Sequence, residues 1–118
     1  MIALVTGASR GIGKEIAKCL AVKGIRVIAN YNKSEKQAKE LQNENCNIEI
    51  YQADVSKREN VSKMVGYILK KYGKIDILIN NAGISENKIF TDVTDEDWQR
   101  IINNNLYSVF CVTQEVLP

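Results

Sequence analysis

The residues most able to do chemistry begin at Thr6. The stretch Thr6-Gly7-Ala8-Ser9-Arg10-Gly11-Ile12-Gly13 joins an apolar run to a segment of helical period. Such a turn suits an anion. Glycines let the backbone turn sharply and approach a ligand, and the first turn of a helix points free N–H groups and a positive dipole end at negative charge. The spacing GxxxGxG is not the common GxGxxG. It nearly matches the mononucleotide loop GxxxxGK[ST] at Gly13-Lys14. That match fails at both ends, because Ala8 stands where the first glycine belongs and Glu15 where the metal-binding hydroxyl belongs. The loop reads as a phosphate cradle of a different kind.

Three further groups stand out. Asp54-Val55 and Asn80-Asn81-Ala82-Gly83 each follow an apolar run. Alone, the second would pass for a plain turn, since Asn and Gly tolerate positive φ. Asn105 lies three and four residues after Ile102 and Ile101, on the apolar side of a helical repeat. An amide buried there needs partners, because an unsatisfied one costs about 1–3 kcal/mol. Its polar neighbours Asn103 and Asn104 equally fit a surface amide. The chain has no histidine, which removes histidine general bases, Ser/His nucleophile pairs and histidine metal ligands.

These groups must be held by elements that the hydrophobic pattern predicts. Strands are expected at 2–5, 27–29 (extending to Tyr31), 48–53 and 75–79. Helices are expected between them. The first has Ile12, Ile16, Cys19 and Leu20 on one face and ends near Gly24. Ser34 with Gln37 and Ser56 with Glu59 are candidate capping boxes. The helix after Ser34 has a thin apolar face, Ala38 and Leu41. The helix after Ser56 carries Val61, Met64, Val65, Ile68, Leu69 and Tyr72 and ends at Gly73. Thr94 caps a last helix bearing Trp98, Ile101, Ile102, Leu106, Val109 and Phe110, which is still running at Pro118. The order βαβαβαβα implies a parallel α/β sheet, because parallel neighbours need crossover connections.

Composition bounds the remainder. The chain has 118 residues, one domain or part of one, with 45% hydrophobic and 25% charged residues. A net charge of +2 with scattered basic residues does not imply a nucleic-acid or membrane surface. Three widely spaced cysteines without CxxC argue against a disulfide framework or metal site, so none is expected. Cys19 and Cys111 are expected in the core. No leader or membrane span is evident, and a cytoplasmic location is expected.

Taken together, the motifs resemble the short-chain dehydrogenase/reductase family. Thr6 to Gly13 is similar to its TGxxxGxG loop, Asp54-Val55 to its adenine-contacting pair, Asn80 to Gly83 to its NNAG motif, and Asn105-Leu106 to its active-site asparagine. The resemblance spans the chain but only about the first half of a family domain. It implies a Rossmann-like doubly wound half-domain with strand order 3-2-1-4. It places Gly7, Ser9, Arg10, Gly11, Ile12 and Gly13 along the ribose and pyrophosphate of a nicotinamide dinucleotide. Asp54 and Val55 would meet the adenine, and Asn81, Ala82 and Gly83 would pass close to the cofactor. Asn105 would hold a water of the proton relay through its carbonyl, at a helix kink.

NAD-selective members place an acid near the end of strand two. Here Tyr31, Asn32 and Lys33 stand there, and Arg10 and Lys33 can pair with a 2′-phosphate, so NADP(H) is the expected cofactor. The resemblance is strongest to 3-oxoacyl-acyl-carrier-protein reductases, which implies a small-molecule or carrier-bound keto substrate and a homo-oligomer. The stretch Phe90 to Trp98 is also similar to reductases acting on modified elongation factor P. A non-catalytic nucleotide-binding fragment is the reading from another class. The family's catalytic serine and Tyr-xxx-Lys are expected beyond this chain. Tyr67-Ile68-Leu69-Lys70-Lys71 fits that pattern but precedes the NNAG-like motif, so it is set aside as an ordinary helix segment.

Overall fold

The computed structural model describes residues 1–84 and 88–117; Pro118 lies outside them. Four strands, β1 (Ile2–Val5), β2 (Arg26–Tyr31), β3 (Ile48–Gln52) and β4 (Ile77–Ile79), form one sheet in the order β3-β2-β1-β4. All three pairings are parallel, with Leu4 opposite Ile28 and Leu78 and Ala29 opposite Ile50. The expected order is therefore borne out. Each crossover contains a helix: α1 (Gly11–Val22), α2 (Glu35–Glu44) and α3 (Arg58–Tyr72). A 3-10 turn (Phe90–Asp92) precedes α4 (Asp95–Ile102), a π-helical segment (Asn103–Tyr107) and α5 (Ser108–Val116).

The sheet is covered on both faces, which is why β1 and β2 read as nearly continuous apolar runs. Alternation along β1 divides the core. Ile2 and Leu4 pack with Ile28, Met64, Ile68, Cys111 and Val112 under α3 and α5. Val5 packs with Val27, Ala17, Ala21 and Leu41 under α1 and α2.

Several expectations are corrected. The buried face of α1 is Gly13, Ala17 and Ala21, not the predicted stripe: Ile12 is 74% exposed, and Ile16 and Leu20 are only half-buried. Small residues let this helix lie close to the sheet, and the larger side chains flank the contact. Cys19 is consequently exposed, while Cys111 is buried as expected. Neither serine box forms. Ser34 is the N-cap of α2 but makes no side-chain cap bond. Ser56 instead binds Asp54, leaving Lys57 as the N-cap of α3. Thr94 does cap α4, in a reciprocal box with Asp97.

The last helix is interrupted by the π segment, and its predicted apolar stripe is largely on the surface. Trp98, Leu106 and Phe110 are all more than half exposed. Ser108, Cys111 and Val112 are buried instead. No helix among the described residues is long and apolar enough to cross a membrane.

Candidate nucleotide-binding site

The strands end together on one side of the sheet, and the candidate residues meet there. Thr6, directly after β1, is buried and organises the arrangement. Its backbone N–H donates to the Ile79 carbonyl (3.1 Å), and its hydroxyl donates to the same oxygen (3.4 Å). That hydroxyl also accepts from the N–H groups of Asn81 (2.9 Å) and Ala82 (3.0 Å). One threonine thus fixes the turn after β4 against the loop after β1. Asn81 returns the contact, its Nδ2 donating to the Gly7 carbonyl at 3.0 Å.

This closeness explains two glycines. Gly7 has φ +61°, and a Cβ there would lie 2.8 Å from Ala82 Cα. A Cβ on Gly13 would lie 2.4 Å from Asn81 Nδ2 and 2.5 Å from the Gly7 carbonyl oxygen. Gly13 is therefore required by packing between loop and helix, not only by the approach of a ligand. The helix it belongs to begins at Gly11 with Arg10 as N-cap, and no side chain caps it. Its first N–H groups are left for an anion.

A cleft of about 770 Å3 runs along these strand ends, within the usual size of small-molecule sites. Gly7, Ser9, Arg10, Tyr31, Asn32, Lys33, Asp54, Val55, Asn81, Ala82 and Gly83 all line it. Gly11 and Ile12 border the adjoining groove along α1, which shares Ser9 and Arg10 with the cleft. Tyr31 is only 8% exposed and forms floor, whereas Asn32 and Lys33 are exposed. Asp54 Oδ1 accepts from the N–H (3.0 Å) and hydroxyl (2.6 Å) of Ser56.

Asn105 does not line the cleft, and it is exposed, which selects the surface-amide reading of the two that the sequence left open. Its partners are nevertheless supplied. Nδ2 donates to the Ile84 carbonyl and Oδ1 accepts from the Ile84 N–H, both at 2.7 Å. Asn105 lies in the π segment that interrupts the last helix, where the resemblance implies a kink.

Tyr67 and Lys71 lie outside the cleft. Lys71 Nζ donates to Tyr67 Oη at 3.2 Å, and Tyr67 donates to Glu49 on β3. The Glu49 carboxylate raises the Tyr67 pKa, more than Lys71 lowers it. That is the wrong direction for an activated tyrosine. The pair ties α3 to β3 through Glu49.

Sequence reasoning missed part of the cleft. Glu96, Gln99, Arg100, Asn103 and Asn104 form its far wall, and their helical period shows only as polar residues opposite Trp98 and Ile102. Gln52 Nε2 donates to the backbone and side-chain oxygens of Asn32 (3.1 and 3.2 Å). Asp97 is held below the usual carboxylate range by Lys88 and by the Thr94 N–H.

Comparison with known proteins bears on the family and the fold. The model of the short chain dehydrogenase family matches residues 1–118. A 3-oxoacyl-[acyl-carrier-protein] reductase of Staphylococcus epidermidis is 38% identical over 98% of the chain and 49% of its own length. That of Thermotoga maritima is 38% identical over 99% and 49%. That of Synechocystis sp. is 40% identical over 98% and 48%. The chain thus spans about half the length of these relatives. Among solved structures, an F189W actinorhodin polyketide ketoreductase with NADPH superposes with a TM-score of 0.89 at 35% identity, covering 98% of this chain and 46% of that one.

Proposed function

From the premise that this chain belongs to the short-chain dehydrogenase family, we propose that it forms the dinucleotide-binding half of an NADPH-dependent carbonyl reductase. The observation that carries this reading is the convergence of three strand-end motifs on one cleft beside an uncapped helix N-terminus. The residues present fit a dinucleotide. The first turn of α1 offers N–H groups to a pyrophosphate. Asp54 has one carboxylate oxygen tied to Ser56, and the other is its acceptor for an adenine amino group. Asn81 and Ala82 have their backbone N–H groups fixed by Thr6, which holds the turn leading to Gly83 at the edge of the cleft.

The preference for NADPH over NADH rests on charge. Arg10 and Lys33 line the cleft near the end of β2. No acid stands at Tyr31 or Asn32 to bind ribose hydroxyls. The ketoreductase that superposes on this chain was solved with NADPH, which supports the same choice.

When bound, NADPH supplies a hydride for a carbonyl carbon. This chain's residues hold the dinucleotide and orient it. Asn105 fixes the π segment to the backbone after Gly83, and its own carbonyl is the group that would hold a relay water. The names of the relatives favour a keto thioester on a carrier protein as substrate. Titration of NADPH fluorescence with the protein tests the cofactor reading. Saturable binding, tighter than for NADH, is expected, and absence of binding to either would overturn it.

A further inference from the structure

Strand β2 reads Arg-Val-Ile-Ala-Asn-Tyr, and its amide is out of character with the apolar residues around it. Asn30 is 2% exposed. A buried amide is costly unless its donors and acceptor are paired. Here they are paired with three different parts of the site. Oδ1 accepts from the Gly7 N–H at 3.3 Å. Nδ2 faces the carbonyls of Ala53 (3.1 Å), Tyr51 (3.4 Å) and Tyr31 (3.4 Å). Its backbone carbonyl accepts from the Ala8 N–H at 2.8 Å.

Gly7 and Ala8 belong to the phosphate loop. Tyr31 precedes Asn32 and Lys33, and Ala53 precedes Asp54-Val55. The strand pairing itself would align β2 with β3, and the Ala53 N–H already donates to the Tyr31 carbonyl at 2.9 Å. Ladder bonds stop at the strand ends, however. Among the described residues, the Asn30 side chain makes the connection between the phosphate loop and the end of β3.

Resting on the dinucleotide reading of the cleft, we infer that Asn30 is a positioning residue for the cofactor: it sets the spacing between the pyrophosphate loop and the adenine pocket. A ligand that spans both sites benefits from that spacing being fixed in advance. A ligand that occupies only one of them does not.

The test compares NADPH, which spans both, with adenosine, which occupies the adenine pocket alone. Binding of each is followed by NMR titration of the protein and of Asn30→Ser and Asn30→Asp. Serine is too short to reach both sides, and aspartate keeps the acceptor for Gly7 but turns an oxygen toward three carbonyls. NADPH affinity is expected to fall about 3–10-fold in Asn30→Ser, the worth of one lost hydrogen bond, with a larger fall in Asn30→Asp. Adenosine affinity is expected to change less than about 2-fold, since no second site is engaged. Equal losses for both ligands, or no loss for either, would overturn the inference. So would failure of both variants to fold, which would make Asn30 a fold determinant only. Failure of the unmodified protein to bind NADPH would instead remove the cleft reading on which the inference rests.

Discussion

Asn105 grips Ile84 through both of that residue's backbone polar groups, with 2.7 Å bonds to its N–H and its carbonyl. The match is geometric, because a side-chain amide carries one donor and one acceptor side by side and Ile84 offers its own N–H and C=O to them. It joins the π segment to the loop that follows Gly83, across 21 residues of sequence. Asn105→Ala removes both bonds and should destabilise the protein by about 1 kcal/mol, since the pair is solvent-exposed. The local effect should be larger. Hydrogen exchange at the Ile84 amide is expected to accelerate in the variant, and an unchanged rate would show that the clasp does not hold the loop.

Gly13 and Gly66 predict opposite outcomes for the same substitution. Gly13→Ala would drive a Cβ to 2.5 Å from a backbone carbonyl, where no flexible side chain can yield. Overpacking of this kind costs about 1–3 kcal/mol, and NADPH binding should weaken as the loop shifts. Gly66 lies inside α3 with nothing within 4 Å of its virtual Cβ. Gly66→Ala should stabilise by about 0.5–1 kcal/mol through helix propensity. Urea unfolding of the two variants checks both signs.

Glu49 gathers Tyr67, Tyr72, Lys71 and Arg26 around one carboxylate. Burial opposes its charge, but the hydrogen bonds from Tyr67, Tyr72 and Lys71 prevail and pull its pKa down to about 2. A depressed carboxyl stabilises the fold fully above its ordinary pKa, and that stability is lost as the pH falls through the folded value. The window is therefore from about pH 4.5 down to about 2. Allowing for solvent around the partly exposed Lys71, the contribution is about 1–2 kcal/mol. The stability difference between the unmodified protein and Glu49→Gln should be constant above pH 5 and shrink below it. A difference that does not change with pH would show that the carboxylate is not specifically stabilised.

How far these features were legible in the sequence depends on how local they are. β1 and β2 were plain because a sheet covered on both faces favours nearly unbroken apolar runs, β3 shows instead as alternation at Ile48 and Ile50, and β4 begins at Ile77 rather than at residue 75. The inner face of α1 was missed for a physical reason. Gly13, Ala17 and Ala21 give little hydrophobic signal, yet their small size is what lets the helix approach the sheet. The Ser56 cap failed because the Asp54 carboxylate competes for that serine from two residues away. The glycine loop, Asp54-Val55 and Asn81 to Gly83 could be read because each is contiguous. The Glu49 cluster could not, since Arg26, Glu49, Tyr67 and Tyr72 come from three elements. Asn30 escaped notice because patterning marks it only as one polar residue in an apolar strand.

Cofactor choice gives the last prediction, and the structure changes which residue should test it. An acid at Tyr31 would be the natural imitation of an NAD-selective enzyme. Tyr31 is only 8% exposed, however, so a carboxylate there would be buried and would confuse preference with stability. Asn32 is the next residue, is exposed and lines the same cleft. Asn32→Asp keeps the oxygen that accepts from Gln52 Nε2, so local structure should survive. Its new charge would face the region that Arg10 and Lys33 make favourable for a 2′-phosphate. Like-charge repulsion of about 1–1.5 kcal/mol should weaken NADPH binding about 5–10-fold, while the same carboxylate can accept from the ribose hydroxyls of NADH. Lys33→Ala should weaken NADPH in the same direction and leave NADH nearly unchanged, because only the phosphate loses a partner. Parallel titrations of both nucleotides against the unmodified protein and the two variants measure the ratio directly. If Asn32→Asp leaves the NADPH-to-NADH ratio where it was, the 2′-phosphate does not sit at the end of β2, and the proposed cofactor preference is wrong.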